Sequence, residues 1–126
     1  MSLILDAGAL IAVERANRDT VALIKQELLN RRSPVTHGGI IGQVWRGSSG
    51  RQAHLARLMA ALEVVPLDEV LGRRAGVLLG RARMEDVLDA SLVLLAADGD
   101  SLLTSDPDDI TPLARTAALH IDIVPV

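Results

Sequence analysis

The sequence predicts an α/β protein, a three-layer α/β/α sandwich with a central, mostly parallel sheet. Short apolar runs alternate with longer segments in which apolar residues recur at helical spacing. Strands that alternate with helices are joined by right-handed crossovers, which place a parallel sheet between two layers of helices. The chain has 126 residues, of which 49% are hydrophobic, enough to bury one core. We therefore expect residues 1–126 to form a single domain.

The strands are predicted from short apolar runs that end at polar or turn-forming residues. The first run, Leu3 to Leu5, stops at Asp6, and the third stops at Pro66. The predicted strands are residues 3–5, 34–36, 63–65, 101–104 and 121–124. Longer segments separate them, so helices are expected to connect consecutive strands.

The helices are predicted from apolar periodicity and from start signals such as Asp and Pro. The predicted helices are residues 7–16, 19–30, 40–47, 51–61, 68–81, 86–97 and a last segment beginning at 107. Residues 48–50 (Ser-Ser-Gly) punctuate the chain after the third helix. In the last segment Pro107 suits a first helical position, and Thr111 with Pro112 repeats that start signal.

Charge is unevenly distributed along the chain, although the net charge is only −3. Residues 1–84 carry 12 basic and 7 acidic residues, whereas residues 85–126 carry 9 acidic residues and a single base, Arg115. This separation indicates one surface for an anionic partner and another able to hold a cation. A solvated surface with uneven charge usage is the alternative interpretation.

Composition also excludes some classes of protein. The chain has no cysteine, which removes disulfides and thiolate metal sites and is typical of a reducing compartment. The N-terminal segment lacks a basic region before its apolar run, and Asp6 interrupts that run. Apolar stretches long enough to cross a bilayer do not occur in the sequence. We expect a cytoplasmic protein without a membrane partner.

Acidic residues follow two of the predicted strands. Asp6 comes directly after the first strand, and Asp106 lies just beyond the fourth, so both should project from the same edge of a parallel sheet. Asp89 lies near the start of a helix whose later positions are almost wholly apolar, and Val93 and Ala96 share its face. Three carboxylates in one cleft repel each other unless a cation lies among them. Oxygen-only ligands suit magnesium or manganese.

Helix capping is the alternative explanation for each of these acids. Asp6 could cap the helix that begins at Ala7, and Asp106 could cap the one that begins at Pro107. Asp86 and Asp89 have the spacing of a capping box. Capping does not require three acids on one edge of one sheet, however, so the joint pattern favours a site.

Three segments together carry a family resemblance. LILDAGALIAVE, DVLDASLVLLAA and LLTSDPDDI resemble the successive signature segments of the PIN domain, in the same order and over nearly the full length. The resemblance implies an α/β/α sandwich and, in active members, a metal-dependent endoribonuclease. Bacterial members of this size resemble VapC-type toxins, which a small antitoxin protein holds in check.

The resemblance also implies roles for single residues. Asp6, Asp89 and Asp106 match the first, third and fourth family acids, and Asp109 matches a further acid that some members add. The second family acid is usually a glutamate, and Gln43 stands in its place. These residues would hold one or two magnesium or manganese ions, with Gln43 offering a carbonyl oxygen or an amide donor.

Thr104 and Ser105 are expected to orient the metal ligands, whereas Ala7 replaces a Thr or Ser that is common after the first acid. Arg46 is the candidate contact to the phosphates of an RNA substrate. The other arginines considered for this role are Arg51, Arg57, Arg73, Arg74, Arg81 and Arg83. For Arg46 and for each of these, an ordinary surface role is the alternative.

With one Trp and no Phe or Tyr, a platform for stacking bases is not expected, and Trp45 is expected to pack in the core or at a subunit contact. His37 is expected to be a hydrogen-bonded turn residue before Gly38 and Gly39, with substrate contact as the alternative. Homodimerisation is implied by the resemblance, and the helices between Arg51 and Arg83 could supply its surface.

Two other functions compete with an active ribonuclease. The uncharged Gln43 favours a catalytically weak PIN-like module that binds RNA or a protein. A receiver-like signalling domain also collects acids at strand ends, but it needs a lysine after a late strand, and Lys25 is the only lysine here.

Overall fold

The computed structural model describes residues 1–47 and 50–126, so the predicted break at Ser48 and Ser49 lies outside the described residues. Within these ranges the chain forms five strands and seven α-helices. The strands are β1 Leu3–Leu5, β2 Val35–His37, β3 Glu63–Val65, β4 Ser101–Thr104 and β5 Asp122–Pro125. The helices are α1 Ala7–Glu14, α2 Arg18–Leu29, α3 Gly38–Val44, α4 Ala53–Met59, α5 Glu69–Ala82, α6 Val87–Val93 and α7 Pro107–Thr116. A single 3-10 turn, Gly50–Gln52, precedes α4.

Side-chain caps fix the start of several helices. Asp6 accepts the N–H of Ala9 at the start of α1, and Asn17 accepts the N–H of Thr20 at the start of α2. Asp68 does the same for α5. Each cap satisfies a backbone donor that has no partner within its helix, so the sequence itself sets where these helices begin.

The strands form one parallel sheet in the order β3-β2-β1-β4-β5, which confirms the α/β prediction. From β1 the chain moves outward to β2 and β3, then crosses back to β4 and moves outward in the other direction to β5. Because crossovers of this kind are right-handed, α1–α4 cover one face of the sheet and α5–α7 cover the other. The contacts agree, since α1 packs on α2, α3 and α4 while α5, α6 and α7 pack on one another.

The core lies around the two central strands. Ile4 and Leu5 of β1 and Leu102 and Leu103 of β4 have no exposed surface, as expected for strands covered on both faces. Trp45 is partly buried against this core, which confirms the packing interpretation. No helix in the described ranges is long and apolar enough to cross a membrane.

Two helix predictions were wrong in their extent. Helix α6 ends at Val93 rather than at Ala97, because the following turns tighten and Asp100 accepts the N–H of Ala97, drawing the chain toward β4. Thr111 and Pro112 do not start a second helix, since α7 runs through Pro112 without interruption. Pro112 has no N–H, so it cannot donate to the carbonyl of Asp108 one turn earlier. Asp108 is exposed, and water can donate to that carbonyl instead.

Smaller shifts concern α1, which ends at Glu14 instead of Ala16, and α3, which begins at Gly38 and ends at Val44 instead of Gly47. The strands β2 and β5 each lie one residue later in the chain than predicted. The predicted helix over residues 51–61 is a 3-10 turn followed by the shorter α4.

Candidate acidic site

The candidate site lies where the direction of the chain connections reverses. Connections from β1 and β4 leave toward opposite edges of the sheet, and in open α/β sheets ligands bind outside the carboxyl ends of two such strands. Asp6 follows β1 directly, and Asp106 lies two residues beyond the end of β4. The parallel register pairs Leu5 with Leu103, so Asp6 follows at the level of Thr104, and Asp106 lies two residues further along the chain at the same edge of the sheet.

Asp6 joins the two strand ends. Its Oδ1 accepts the N–H of Ala9 at 2.8 Å, and its Oδ2 accepts the N–H of Ser105 at 3.1 Å. The residue is 6% exposed, yet each oxygen retains a second lone pair for another partner. Gly8 permits the approach, because a Cβ at that position would fall on the side chain of Ser105. Capping and membership of the acidic site are therefore compatible for Asp6.

Asp106 occupies the N-cap position of α7, but within the described residues its side chain makes no capping hydrogen bond. The capping interpretation was therefore wrong for the carboxylate of Asp106. Its backbone N–H instead donates to Oγ1 of Thr104 at 2.8 Å, and Thr104 is fully buried at the end of β4. Thr104 thus fixes the backbone of Asp106, while the exposed carboxylate is available for a ligand.

Asp89 is half-buried in the first turn of α6, and the buried Val93 lies one turn later in the same helix. Asp86 caps this helix, since its Oδ1 accepts the N–H groups of Leu88 and Asp89 at 2.9 and 3.0 Å. Burial, together with repulsion from neighbouring carboxylates, raises the pKa of Asp89 to about 6. Those neighbours are, in decreasing order of effect, Asp86, Asp6, Asp109 and Asp106.

We call Asp6, Asp86, Asp89, Asp106 and Asp109 the acidic cluster. The cluster brings together residues from three separate parts of the chain, and its members repel one another when ionised. A group of this kind is stabilised by a proton or by a cation.

The donor set of the acidic cluster consists of carboxylate oxygens, the ligands that magnesium and manganese prefer. Among residues 1–47 and 50–126, however, no three His, Asp or Glu side chains are already gathered in the arrangement of a metal site. The chemistry of the donors therefore fits a hard divalent cation, although the described carboxylates do not yet converge on one point.

Gln43 and Arg46 lie at the C-terminal end of α3. Gln43 is exposed, and its side-chain amide makes no hydrogen bond to the part of the chain that the structure describes. Arg46 folds back onto the helix end, where its guanidinium donates to the carbonyls of Gly42, Gln43 and Trp45 at 2.8 to 3.1 Å. This arginine therefore neutralises the carbonyl end of α3, a role that the sequence did not predict.

His37 makes contacts that sequence reasoning identified only in part. Its Nδ1 accepts the N–H groups of Gly39 and Ile40, which confirms a local hydrogen-bonded role at the start of α3. Its Nε2 also bonds the carbonyl oxygen of Leu88 at 2.9 Å. Burial lowers the pKa of His37, so the ring is neutral at pH 7. The sequence signal for the cap was a His directly before two glycines; the contact 51 residues away had none.

A separate groove of about 660 Å³ lies between α1, α2 and α4. Its floor is apolar, with Val13, Ile24 and Leu58 among the lining residues. Its cationic lining residues are Arg18, Lys25 and Arg57, and among the described residues that line it none is acidic.

No model of a protein family matches the sequence, and no curated protein sequence matches it. A functional assignment therefore depends on the chemistry of the residues described above.

Proposed function

We propose that the protein is a magnesium- or manganese-dependent ribonuclease of the PIN type. Asp6, Asp89 and Asp106 would hold the cation, with Asp109 as an additional acid. The observation that carries this proposal is the repulsion of Asp89 by the other four members of the acidic cluster, near the carboxyl ends of β1 and β4. A carboxylate whose pKa is raised by burial and by neighbouring acids is typical of functional sites, and a bound cation relieves the repulsion.

The residues of the cluster have different tasks in this proposal. Asp6 is held by two backbone N–H groups and gives the site a fixed point, whereas the carboxylate of Asp106 is free to turn toward a ligand. Asp89 must lose its proton before it binds a cation, so binding is expected to strengthen as the pH rises through about 6. A bound ion would polarise the phosphodiester and lower the pKa of an attacking water.

Cleavage of RNA in the presence of Mg²⁺ or Mn²⁺, with and without EDTA, tests the proposal. Asp106→Asn is the most informative variant, because the carboxylate makes no capping bond in the described residues and its loss should not unfold the protein. Asp108→Asn is the matched control, since Asp108 is an exposed acid in the same helix turn but lies outside the acidic cluster. We expect metal-dependent cleavage that Asp106→Asn abolishes and Asp108→Asn retains. Cleavage that persists in EDTA would contradict the proposal.

The groove between α1, α2 and α4 supports a protein partner, as expected of a toxin in a toxin–antitoxin pair. Its apolar floor and its rim of Arg18, Lys25 and Arg57 suit an amphipathic helix flanked by acidic residues. The test is binding of the protein encoded by an adjacent small open reading frame. The double charge reversal Lys25→Glu with Arg57→Glu should weaken binding, whereas Arg115→Glu should not. Equal binding by the wild type, the double variant and Arg115→Glu would exclude this groove as the binding site for the partner.

A catalytically weak module that binds RNA is the second candidate function. It is favoured by the uncharged Gln43 and by carboxylates that, in the described ranges, are not already gathered around one point. This candidate predicts RNA binding without cleavage in the wild type, and cleavage gained by Gln43→Glu. Efficient wild-type turnover would exclude it.

A homodimer is also proposed. Helix α5 exposes two apolar side chains one above the other, Val70 at 67% and Val77 at 64%. Sedimentation of the wild type and of Val77→Glu tests this surface, and a dimer that survives the substitution would place the contact elsewhere.

A further inference from the structure

We propose that His37 is a positioning residue of the acidic cluster: its ring holds the first turn of α6, and with it Asp89, against the end of β2. The catalytic meaning of this role rests on the proposed ribonuclease function, but the positioning itself concerns only contacts within the chain.

The hydrogen bonds of His37 run in two directions. On one side Nδ1 accepts the N–H groups of Gly39 and Ile40 at 3.1 and 3.4 Å, which caps α3. On the other side Nε2 lies 2.9 Å from the carbonyl oxygen of Leu88. Because Nδ1 is an acceptor, the proton of the neutral ring belongs on Nε2, from which it donates to Leu88. The ring has no exposed surface, so water does not compete for either bond.

The packing around Gly39 gives an independent indication of the same contact. A Cβ at position 39 would lie 2.5 Å from Cδ2 of Leu88 and 3.0 Å from Cε1 of His37. The Leu88 side chain and the imidazole therefore both lie directly on the backbone of the first turn of α3. A side chain at position 39 would therefore force the Leu88 side chain to move.

Leu88 transmits this contact to Asp89, its neighbour in the chain. Asp86, the N-cap of α6, accepts the N–H groups of both residues, and His37 of β2 donates to the Leu88 carbonyl. The turn is thus fixed at both ends, which keeps the Asp89 carboxylate half-buried beside the other acids. Asparagine can replace the imidazole as a helix cap, but it is too short to reach Leu88 as well.

The test is a carbon-detected NMR titration of the aspartate side chains in metal-free protein. The variants are His37→Asn, which keeps the cap but loses the bond to Leu88, and Gly39→Ala, which displaces Leu88 while keeping His37. His54→Asn is the control, since His54 is an exposed histidine on α4. In both test variants we expect the Asp89 carboxyl to titrate about one pH unit lower than in the wild type, as the residue moves into water and away from like charges. The control should leave it unchanged.

An Asp89 titration unchanged in either folded variant would overturn the inference. A second measurement needs no variant: ¹⁵N spectra of wild-type His37 should show the proton on Nε2 at pH 7, and a proton on Nδ1 would overturn it equally. Neither measurement requires activity. If the pKa of Asp89 shifts in the variants while the wild type does not cleave RNA, the positioning role stands and the ribonuclease proposal fails. If the wild type cleaves RNA and the pKa does not shift, the ribonuclease proposal stands and the positioning role fails.

Discussion

Replacement of Asp89 by asparagine should stabilise the metal-free protein at neutral pH. The substitution keeps the shape of the side chain but removes a half-buried charge that four neighbouring acids repel. The pKa of Asp89 in the folded protein is about 6, whereas an unfolded chain gives about 3.9. Between these values the folded state binds a proton that the unfolded state has released. The free energy of unfolding therefore falls as the pH rises from about 4 to about 6, and it stays lower above that window.

The size of the effect follows from the two pKa values. A separation of about two units corresponds to about 3 kcal/mol at about 1.4 kcal/mol per unit. Asp89 is only half-buried, and solvent screening reduces this to an expected 1 to 2 kcal/mol, roughly. Asp89→Asn should gain that amount at pH 7.5 and almost nothing at pH 4, where the wild-type carboxyl is protonated.

Urea unfolding of both proteins at pH 4, 5, 6 and 7.5, in EDTA, measures the difference. Titrating groups distant from Asp89 contribute nearly equally to both proteins, so the difference between them reports Asp89 and its repulsion by the neighbouring acids. A variant less stable than the wild type at pH 7.5, or a difference that does not change with pH, would refute the reasoning.

Two further substitutions test how the strand ends and helix ends are held. Gln52→Ala should cost about 2 to 4 kcal/mol, because the 5% exposed side chain accepts the N–H of Arg46 and donates to Val44 and Glu14. The exposed Gln26→Ala is the control and should stay within about 0.5 kcal/mol; equal losses in urea unfolding would be contrary to this account. Gly8→Ala should cost about 1 to 3 kcal/mol by collision with Ser105, and part of that loss should return in the double variant with Ser105→Gly. A purely additive double-mutant cycle would show that the two residues do not meet.

The fold could be predicted from the sequence because the strands end at residues that interrupt the apolar runs. Leu3–Leu5, Glu63–Val65 and Ser101–Thr104 were predicted with their observed bounds, since Asp6, Pro66 and Ser105 interrupt the apolar runs. The end of α6 could not be predicted from the sequence. Apolar residues continue beyond Val93 at helical spacing, and burial in a turn leaves the same pattern in the sequence as burial in a helix.

The acidic site was predictable to the extent that it depends on strand order. Asp6 and Asp106 lie at the same edge of the sheet because parallel strands end there, a consequence of topology that the alternation of strands and helices already implied. The bond between His37 and Leu88 spans 51 residues and depends on how α6 packs against β2, which no local pattern encodes. The inward turn of Arg46 onto α3 likewise depends on a choice of side-chain conformation.

The central claim is that the acidic cluster binds a divalent cation, and calorimetric titration with Mn²⁺ at pH 7.5 tests it most directly. We expect saturable binding to the wild type, at least about tenfold weaker in Asp106→Asn, which corresponds to a loss of about 1.4 kcal/mol or more. Asp108→Asn should bind as the wild type does, and Gln43→Glu should bind more tightly if residue 43 lies near the ion. Absence of binding to the wild type, or equal weakening by Asp106→Asn and Asp108→Asn, would contradict the claim.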